Sequence, residues 1–299
     1  MNCLLLYYTG TFNTRYVTEK LKSRLEALNW TVTAYEIDPT NNERLDLGAY
    51  DIIGLGYPIY GYCAPWPFLR FIRAQKFPKG VRVFIYKNSG ETEKANDASS
   101  KYVCRKLRRD GVKPEGEYHF MMPYNIHFRF DEYLVKEMLL MNSKLMDILV
   151  YEINNGIRNW KPFKLWPRLV SMVVSRPQYI AGDVNSFFYR VDKDKCINCD
   201  LCIKRCPTRN ISRNGGGEIK FGHHCNMCMR CSLFCPKDAI HIGFLESWGW
   251  KVNGGYNFKK IEQIEYSTPY ITEKTDGFFK CYVESYKKIN ARHKELFGE

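Results

Sequence analysis

Eight of the chain's twelve cysteines fall within forty residues and repeat one spacing twice. The two groups are Cys196, Cys199, Cys202 and Cys206 before Pro207, and Cys225, Cys228, Cys231 and Cys235 before Pro236. Each cysteine of the first group has a counterpart 29 positions later. Three thiolates separated by two residues on a tightly curled loop can face three corners of one iron–sulfur cube, and the proline turns the chain away after the fourth. The repeat therefore predicts two equivalent sites, one from each half of an internal duplication.

The double motif resembles that of the bacterial two-cluster ferredoxins over residues 188–245. In that family the fourth cysteine of each motif ligates the cube of the other motif. The resemblance implies a small α+β domain with two [4Fe-4S] clusters and crossed ligand sets. Those sets are Cys196, Cys199, Cys202 and Cys235 for one cluster, and Cys225, Cys228, Cys231 and Cys206 for the other.

Two other interpretations of the cysteines stay open. Structural zinc needs tetrahedral sets, usually two CxxC pairs, and does not explain two C-x2-C-x2-C-x3-C-P runs. Clusters that only stabilise the fold would not require two adjacent cubes. His223 and His224 are expected beside a cluster or at the surface, because four cysteines are already available for each cube. The scattered cysteines are expected to be packing residues or free thiols, and these are Cys3, Cys63, Cys104 and Cys281.

A second candidate site follows the first predicted strand. It consists of Thr9, Gly10, Thr11, Phe12, Asn13 and Thr14. The hydroxyls, the carboxamide and the backbone N–H groups of this turn meet at the start of a predicted helix, where the helix dipole favours an anion. The turn resembles the flavin-phosphate loop of flavodoxins, S/T-x-T-G-N-T, with Phe12 standing where that family has glycine. The resemblance implies flavin mononucleotide (FMN) as a cofactor.

Two further loops follow the third and fourth predicted strands, at the edge where a flavodoxin-like sheet holds the flavin ring. They contain Pro58, Ile59, Tyr60 and Gly61 in the first loop, and Asn88, Ser89 and Gly90 in the second. Tyr60, Tyr62 and Trp66 are candidates to stack on the ring. A turn of the same shape that binds no flavin is the alternative.

The elements that position these loops are predicted from hydrophobic periodicity. Short apolar runs predict buried strands over 3–8, 31–37, 51–57, 81–86 and 117–122. Helical patterns cover 14–28, 92–109 and 132–151. This alternation predicts an α/β fold, a flavodoxin-like doubly wound parallel sheet of five strands.

The chain divides into four segments by composition and motif. We expect a flavodoxin-like FMN-binding domain over 1–152, a basic aromatic connector over 153–187, the two-cluster domain over 188–245 and a C-terminal extension over 246–299. Pro162 and Pro167 are expected to interrupt any long amphipathic helix. A linker packed across the two domains is therefore favoured over contact of 157–176 with a membrane surface. The extension is expected to pack on the two-cluster domain or to provide a docking surface.

Composition excludes several classes of protein. The 299 residues are 45% apolar and 26% charged, as in a globular protein of about two domains. The longest apolar run, Cys3–Tyr8, is too short for a membrane span, and the N-terminus lacks the basic region of a secretory signal. Reduced thiols and low-potential cubes predict a cytoplasmic location. The net charge of +13 suits several anionic partners, but no groove-reading motif appears, so nucleic acid is not expected.

The order of the two domains is similar to that of flavodoxin–ferredoxin fusion proteins of anaerobic bacteria. This resemblance implies an electron carrier that couples FMN to two [4Fe-4S] clusters and meets redox partner proteins. One alternative is a flavin-dependent reductase of a small acceptor, fed through the clusters, with a pocket bounded by Tyr60, Tyr62 and Trp66. The other is a cluster-based redox sensor or nucleic-acid binder. No catalytic residue is assigned.

Overall fold

The computed structural model describes residues 1–41, 43–92, 94–160 and 162–298. Its central sheet has five parallel strands in the order β2-β1-β3-β4-β5. They are β1 (Asn2–Tyr7), β2 (Thr31–Glu36), β3 (Ile52–Pro58), β4 (Arg82–Ser89) and β5 (Gly116–Met121). This is the strand order of flavodoxin-like sheets. The predicted α/β fold is confirmed, and each strand overlaps its predicted segment.

Both faces of the sheet are buried. On β1, Cys3, Leu5 and Tyr7 enter one core, whereas Leu4 and Leu6 enter the other, because successive side chains of a strand point to opposite faces. The covering helices are α1 (Asn13–Glu26), α2 (Trp66–Ala74), α3 (Lys101–Arg109) and α4 (Glu132–Asn154). Helices α1 and α4 cover the first face and α2 and α3 the second. The sheet is therefore wound on both sides, as predicted.

The helix predicted over 92–109 is shorter than expected. Glu93 lies outside the described residues, Lys94–Ala98 forms a separate 3-10 turn, and α3 begins only at Lys101. The buried Lys87 ammonium donates a hydrogen bond to the Asn96 carbonyl at 2.9 Å. The same carbonyl accepts the Ser99 N–H at 3.1 Å, the bond of a 3-10 turn, so the α-helical pattern starts only after this turn.

The connector contains a 22-residue helix, α5 (Leu165–Ser186), so the expectation that prolines would prevent a long helix was wrong. Pro167 is the third residue of α5, where the missing N–H has no helical acceptor in any case. Pro177 lies inside the helix and removes one backbone hydrogen bond. Hydrogen bonds to the first domain hold the helix: Ser171 donates to the Tyr62 carbonyl and Tyr179 to the Ala64 carbonyl, each at 2.7 Å. Lys161 lies outside the described residues.

In the part of the chain that the structure describes, no helix has both the length and the apolar character needed to cross a membrane.

The two-cluster domain is the predicted small α+β unit. Its elements are β6 (Tyr189–Val191), α6 (Leu201–Lys204), β7 (Ile211–Arg213), β8 (Ile219–Phe221), α7 (Arg230–Leu233) and β9 (Ile240–Ile242). Strand β6 pairs with β9 and β7 with β8, both antiparallel. A four-residue helix, α6 or α7, starts inside each cysteine motif. The duplication predicted from the cysteines is thus repeated in the secondary structure.

The C-terminal extension packs mainly on the first domain, so the expectation that it would cover the two-cluster domain was wrong. Its helices are α8 (Phe244–Ser247), α9 (Phe258–Ile261) and α10 (Lys280–Phe297). Ile261, Tyr282 and Ile289 are buried in the same core as Leu134 and Met138 of α4. Helix α4 carries buried apolar residues around most of its circumference and therefore needs cover on two sides. The extension supplies the outer side.

Candidate cluster and cofactor sites

Left-handed backbone curls both cysteine loops. Positive φ values occur at three non-glycine residues of the first motif, and again 29 positions later in the second. The pairs are Asn198 and Met227, Asp200 and Met229, and Arg209 and Asp238. Such a residue costs about 1–2 kcal/mol, so the same three positions in both halves indicate a shape that the loop requires. The two loops therefore share the same backbone shape.

The fourth cysteine of each motif lies beside the first three of the other. Burial first, and Cys206 among the neighbouring groups, raise the pKa of the three thiols Cys225, Cys228 and Cys231. Burial and then the neighbours Cys235 and Cys196 raise the pKa of Cys202 to about 11. A small cavity is lined by Cys196, Cys199, Cys202 and Cys235. The four cysteines of one predicted set thus line a single cavity, and Cys206 neighbours the three thiols of the other set. The crossed ligand sets themselves stay a prediction.

The thiols are deeply enclosed on the second loop and more accessible on the first. Cys228 is buried, whereas Cys199 is exposed. Burial raises the pKa of Cys225 to about 12 and that of Cys228 to about 11. Such thiols are protonated at neutral pH when free, and coordination to iron removes the proton. The second loop is therefore built to hold a ligand away from water.

Backbone N–H groups point at the fourth sulfur of each motif. Asn210 N–H donates to Cys206 Sγ, and Ala239 N–H donates to Cys235 Sγ, each at 3.3 Å. Hydrogen bonds to cluster sulfurs are one of the factors that set reduction potential. Asn210 and Ala239 are also 29 positions apart, so the duplication extends to this contact.

The remaining cysteines and histidines are placed as expected. Cys3, Cys63 and Cys104 are buried in the cores of the first domain, and burial raises the pKa of each thiol. The His223 ring lies against Phe187 with their centroids 4.1 Å apart, and the His224 N–H donates to Asn210 Oδ1. These contacts belong to packing around the cysteine loops.

A cavity of about 350 Å³ opens at the carboxyl ends of β1, β3, β4 and β5. Twelve of the thirteen predicted flavin-loop residues line it. They are Thr9, Gly10, Thr11, Asn13, Thr14, Pro58, Ile59, Tyr60, Gly61, Asn88, Ser89 and Gly90. The volume lies within the range of small-molecule and cofactor pockets, about 300–1,000 Å³. The cavity also lies at the point where the strand order reverses, the usual ligand position in doubly wound sheets.

The turn before α1 fits an anion. Helix α1 has no side-chain cap, so its first backbone N–H groups are available at the positive end of the helix dipole. The Thr9 hydroxyl is buried and has no hydrogen-bond partner in the part of the chain that the structure describes. The Thr14 hydroxyl donates to Asn88 Oδ1 at 2.7 Å, which ties this turn to the loop after β4. An uncapped helix and a buried free hydroxyl are what a bound phosphate would satisfy.

Phe12 is the predicted residue that does not line the cavity. Its φ of 72° is left-handed, the conformation that glycine adopts most easily. The ring instead packs on the two-cluster domain, with its centroid 5.3 Å from that of Phe234 and 4.5 Å from the Arg230 guanidinium carbon. The side chain therefore leaves the anion site open.

Several cavity residues were missed by the sequence reasoning. The loop after β5 contributes Met122–His127, which the same sheet-edge argument could have found. Val174 and Gln178 come from α5, and Met227 and Trp250 come from beyond the connector. Nothing in the local sequence signals these long-range contributions. Of the proposed stacking residues, Tyr62 lines the cavity, whereas Trp66 is absent from its wall and begins α2.

The second cysteine loop lies directly against the phosphate-type turn. A Cβ added to Gly10 would lie 2.9 Å from Cys228 Cβ, so the two backbones are in close approach. The amide of Asn125 donates to the Cys228 carbonyl at 3.0 Å. Arg230 Nη2 donates to the Thr9 carbonyl at 2.6 Å, and its Nε donates to the Gly10 carbonyl. The cofactor cavity and the second cluster loop thus share one wall.

Polar groups also meet at the mouth of the cavity. The Tyr124 hydroxyl donates to the Glu91 carboxylate, and the His127 ring packs on Trp250 with centroids 4.3 Å apart. Burial lowers the pKa of His127 from its ordinary value, so this imidazole is neutral at pH 7. The wall therefore contains a carboxylate, a phenol and a neutral imidazole.

Comparison with known proteins finds relatives of the cysteine-rich half and similar solved structures for the first half. The family model of the 4Fe-4S dicluster domain matches residues 195–240. Pyruvate synthase subunit PorD of Thermotoga maritima is 39% identical over 92 residues, which are 29% of this chain and 88% of that protein. PorD of Methanothermobacter marburgensis is 39% identical over 61 residues, 20% of this chain and 72% of that protein. Among solved structures, oxidised flavodoxin 2 from Bacillus cereus is 19% identical, with a TM-score of 0.38, and the match covers 52% of this chain and 99% of that one.

The dicluster match and the PorD relatives assign two [4Fe-4S] clusters to the paired cysteine motifs. The zinc interpretation of these cysteines is therefore set aside. The flavodoxin-like character of the first half follows from its strand order.

Proposed function

The chain belongs to the flavodoxin–ferredoxin fusion proteins, and on that premise we propose that it transfers electrons between an FMN and two [4Fe-4S] clusters. The observation that carries this proposal is the shared wall between the cofactor cavity and the second cysteine loop. FMN, when bound, exchanges electrons singly or in pairs, whereas each cube passes one at a time. A chain that holds both can connect one-electron and two-electron partners.

The crossed cysteine sets are the proposed cluster ligands. One set is Cys196, Cys199, Cys202 and Cys235, and the other is Cys225, Cys228, Cys231 and Cys206. The mutual placement of these thiols and the paired N–H donors of Asn210 and Ala239 support the assignment. Each set draws its fourth ligand from the other motif, so neither site is complete without both halves of the duplication.

The residues of three loops are proposed to hold FMN. The backbone at the start of α1 and the Thr9 hydroxyl are suited to the phosphate. Tyr60 lines the cavity beside Gly10, and Tyr62 lines it beside α5. Gln178 Oε1 is buried and has no hydrogen-bond partner among the described residues. This arrangement offers aromatic surface and an unused acceptor for a flat polar ring.

The two cluster loops have different roles in this proposal. The loop of Cys225–Cys231 contacts the cofactor cavity through Cys228, Met227 and Arg230. The first loop exposes Cys199, and Ile197 beside it is 56% exposed. We therefore place the protein redox partner at the first loop and the flavin at the second. The PorD relatives are pyruvate synthase subunits by name, and a pyruvate synthase is accordingly the partner to test first.

The direct test is the iron and flavin content of the full chain purified without oxygen. About eight irons and one FMN per chain are expected. During stepwise reduction, absorption and electron paramagnetic resonance should then show electrons entering three separate centres. About eight irons without flavin, even after FMN is added, would refute the coupling and leave a ferredoxin with a flavodoxin-like partner domain.

A second candidate, reduction of a small acceptor at the flavin, is favoured by the polar groups at the cavity mouth. Glu91, Tyr124 and His127 form a set through which a proton could reach a bound molecule. Turnover of a small acceptor with no partner protein present would favour this reaction. Loss of that turnover in His127→Phe, with the clusters and flavin retained, would assign it to this wall.

A further inference from the structure

Helix α5 exposes most of its large apolar side chains and buries its serines and Asn185, the reverse of an ordinary surface helix. Trp166, Val173 and Ile180 are 67%, 72% and 65% exposed. Leu169, Met172 and Val184 are exposed on the same stretch. Their spacing of three, four or seven residues places them along one side of the helix, which at 22 residues is roughly 33 Å long. Phe187 continues the apolar surface just beyond its end.

The buried face of α5 consists of small and polar residues because the helix lies close to backbone. A Cβ added to Gly182 would meet the Cys225 carbonyl at 2.5 Å, which only glycine avoids. Ser186 donates to the Gly222 carbonyl at 2.6 Å, and Asn185 donates to the Ile242 carbonyl at 3.0 Å. The orientation of the helix is thus fixed by specific contacts, and its apolar residues cannot turn inward.

The charge around this face is mainly positive, although Asp183 lies within α5, and Asp97 and Glu284 share a cavity wall with Trp166 and Lys164. Between Glu152 and Asp183 the sequence has five basic residues and no acidic one. The described members of this set that lie next to the apolar face are Lys164 and Arg168, both exposed. An aliphatic face that has basic residues beside it and a tryptophan near its first residue is typical of a helix that lies in a membrane interface.

We propose that α5 docks the protein on the surface of an anionic phospholipid bilayer. The apolar side chains enter the region between headgroups and acyl chains, and Lys164 and Arg168 contact lipid phosphates. A second copy of the chain is a poorer occupant, because facing helices would bring basic residues of the same sign together. The helix lies on the membrane and does not span it, consistent with its polar inner face.

This inference goes beyond electron transfer and does not depend on it. The same helix contributes Val174 and Gln178 to the cofactor cavity, so docking would place that cavity beside the membrane surface. Iron and flavin content measure the proposed function, whereas lipid binding measures the present inference. A negative lipid-binding result would not contradict electron transfer, and a missing flavin would not contradict membrane docking.

The test is flotation of the cluster-loaded full chain with vesicles of phosphatidylcholine alone or with about 30% phosphatidylglycerol. Binding to the anionic vesicles should exceed that to neutral vesicles by about tenfold or more, since each basic residue near the surface contributes about fivefold. The double substitution Val173→Glu and Ile180→Glu should weaken binding by about a hundredfold. Both residues are largely exposed, so the fold is retained. The matched control is Leu28→Glu, an exposed leucine in the turn after α1.

A second readout follows Trp166. Its fluorescence should be quenched by brominated acyl chains on anionic vesicles, and Trp166→Phe should remove most of the quenching. No flotation of the wild-type chain with anionic vesicles, or unchanged flotation of the double variant, would overturn the proposal. Lipid-independent self-association that the double variant abolishes would assign the face to a second copy, and lipid-independent binding of a purified redox partner would assign it to a protein. Each of these outcomes would overturn the membrane proposal.

Discussion

Arg230→Leu should separate the two redox domains while leaving both cysteine motifs intact. Arg230 is buried between the phosphate-type turn and the second cysteine loop, and its counterpart 29 positions earlier is Leu201, so leucine is already compatible with this motif. The substitution removes charge-assisted hydrogen bonds to the Thr9 and Gly10 carbonyls and the contact with the Phe12 ring. Each such hydrogen bond contributes about 1.5–3 kcal/mol. After allowance for the apolar packing that leucine regains, about 3 kcal/mol of docking free energy should be lost.

A loss of about 3 kcal/mol corresponds to about a hundredfold change in the docking equilibrium. Hydrogen exchange measures this directly, because the 226–231 loop lies against the phosphate-type turn and its amides should exchange faster when the domains undock. Their protection should fall by about that factor, and electron transfer between flavin and clusters should slow in parallel. The matched control is Arg213→Leu, which removes a partly exposed pair with Asp200 near the first loop and should cost less than about 1 kcal/mol. Protection of Arg230→Leu equal to that of the control would refute the assignment of Arg230 as the link between the domains.

Further substitutions test other parts of the structure. Cys206→Ala and Cys235→Ala should each lower the iron content from about eight to about four. The two variants should lose different electron paramagnetic resonance signals. If the ligand sets are crossed, the signal lost in Cys206→Ala should be the one lost in Cys228→Ala. Thr14→Val removes the hydrogen bond to Asn88 Oδ1 and should weaken FMN binding by about tenfold in a fluorescence titration, with the exposed Thr33→Val on β2 as control; equal affinities would contradict the proposed turn. Glu137→Ala removes the acceptor of the Tyr266 hydroxyl and of the Tyr270 and Ile271 N–H groups. It should therefore destabilise the extension by about 3 kcal/mol and speed tryptic cleavage after Lys274, unlike the exposed Glu284→Ala.

The sequence was informative wherever a short segment determines its own structure. The strands were predictable because each buried run must sit between two helical layers, and the cysteine spacing is itself the geometry of a cluster site. Twelve cavity residues were predictable because parallel strands bring the loops at their carboxyl ends to one edge. These inferences need no knowledge of distant residues.

The rest depended on contacts between distant segments. Helix α5 was missed because Pro167 was treated as an interruption, although a proline in the first turn of a helix is tolerated. The destination of the extension was missed because the outer face of α4 has no distinct sequence signature. Met227 and Trp250 could not be placed in the cavity, because no local pattern states how one domain docks on another.

Phe12 connects the local and the long-range parts of this argument. In the loop alone, a left-handed phenylalanine is a defect that costs about 1 kcal/mol relative to glycine. In the whole molecule its ring contacts Phe234 and Arg230. The aromatic pair with Phe234 stabilises the domain contact by about 0.5–1.5 kcal/mol, and the cation–π contact with Arg230 by about 0.5–2 kcal/mol. Phenylalanine at this position therefore raises the conformational energy of the loop but gains contacts with the cluster domain. A free-standing flavodoxin-like domain would have no such compensation, so the residue makes physical sense only in a chain whose flavin site is built against an iron–sulfur loop.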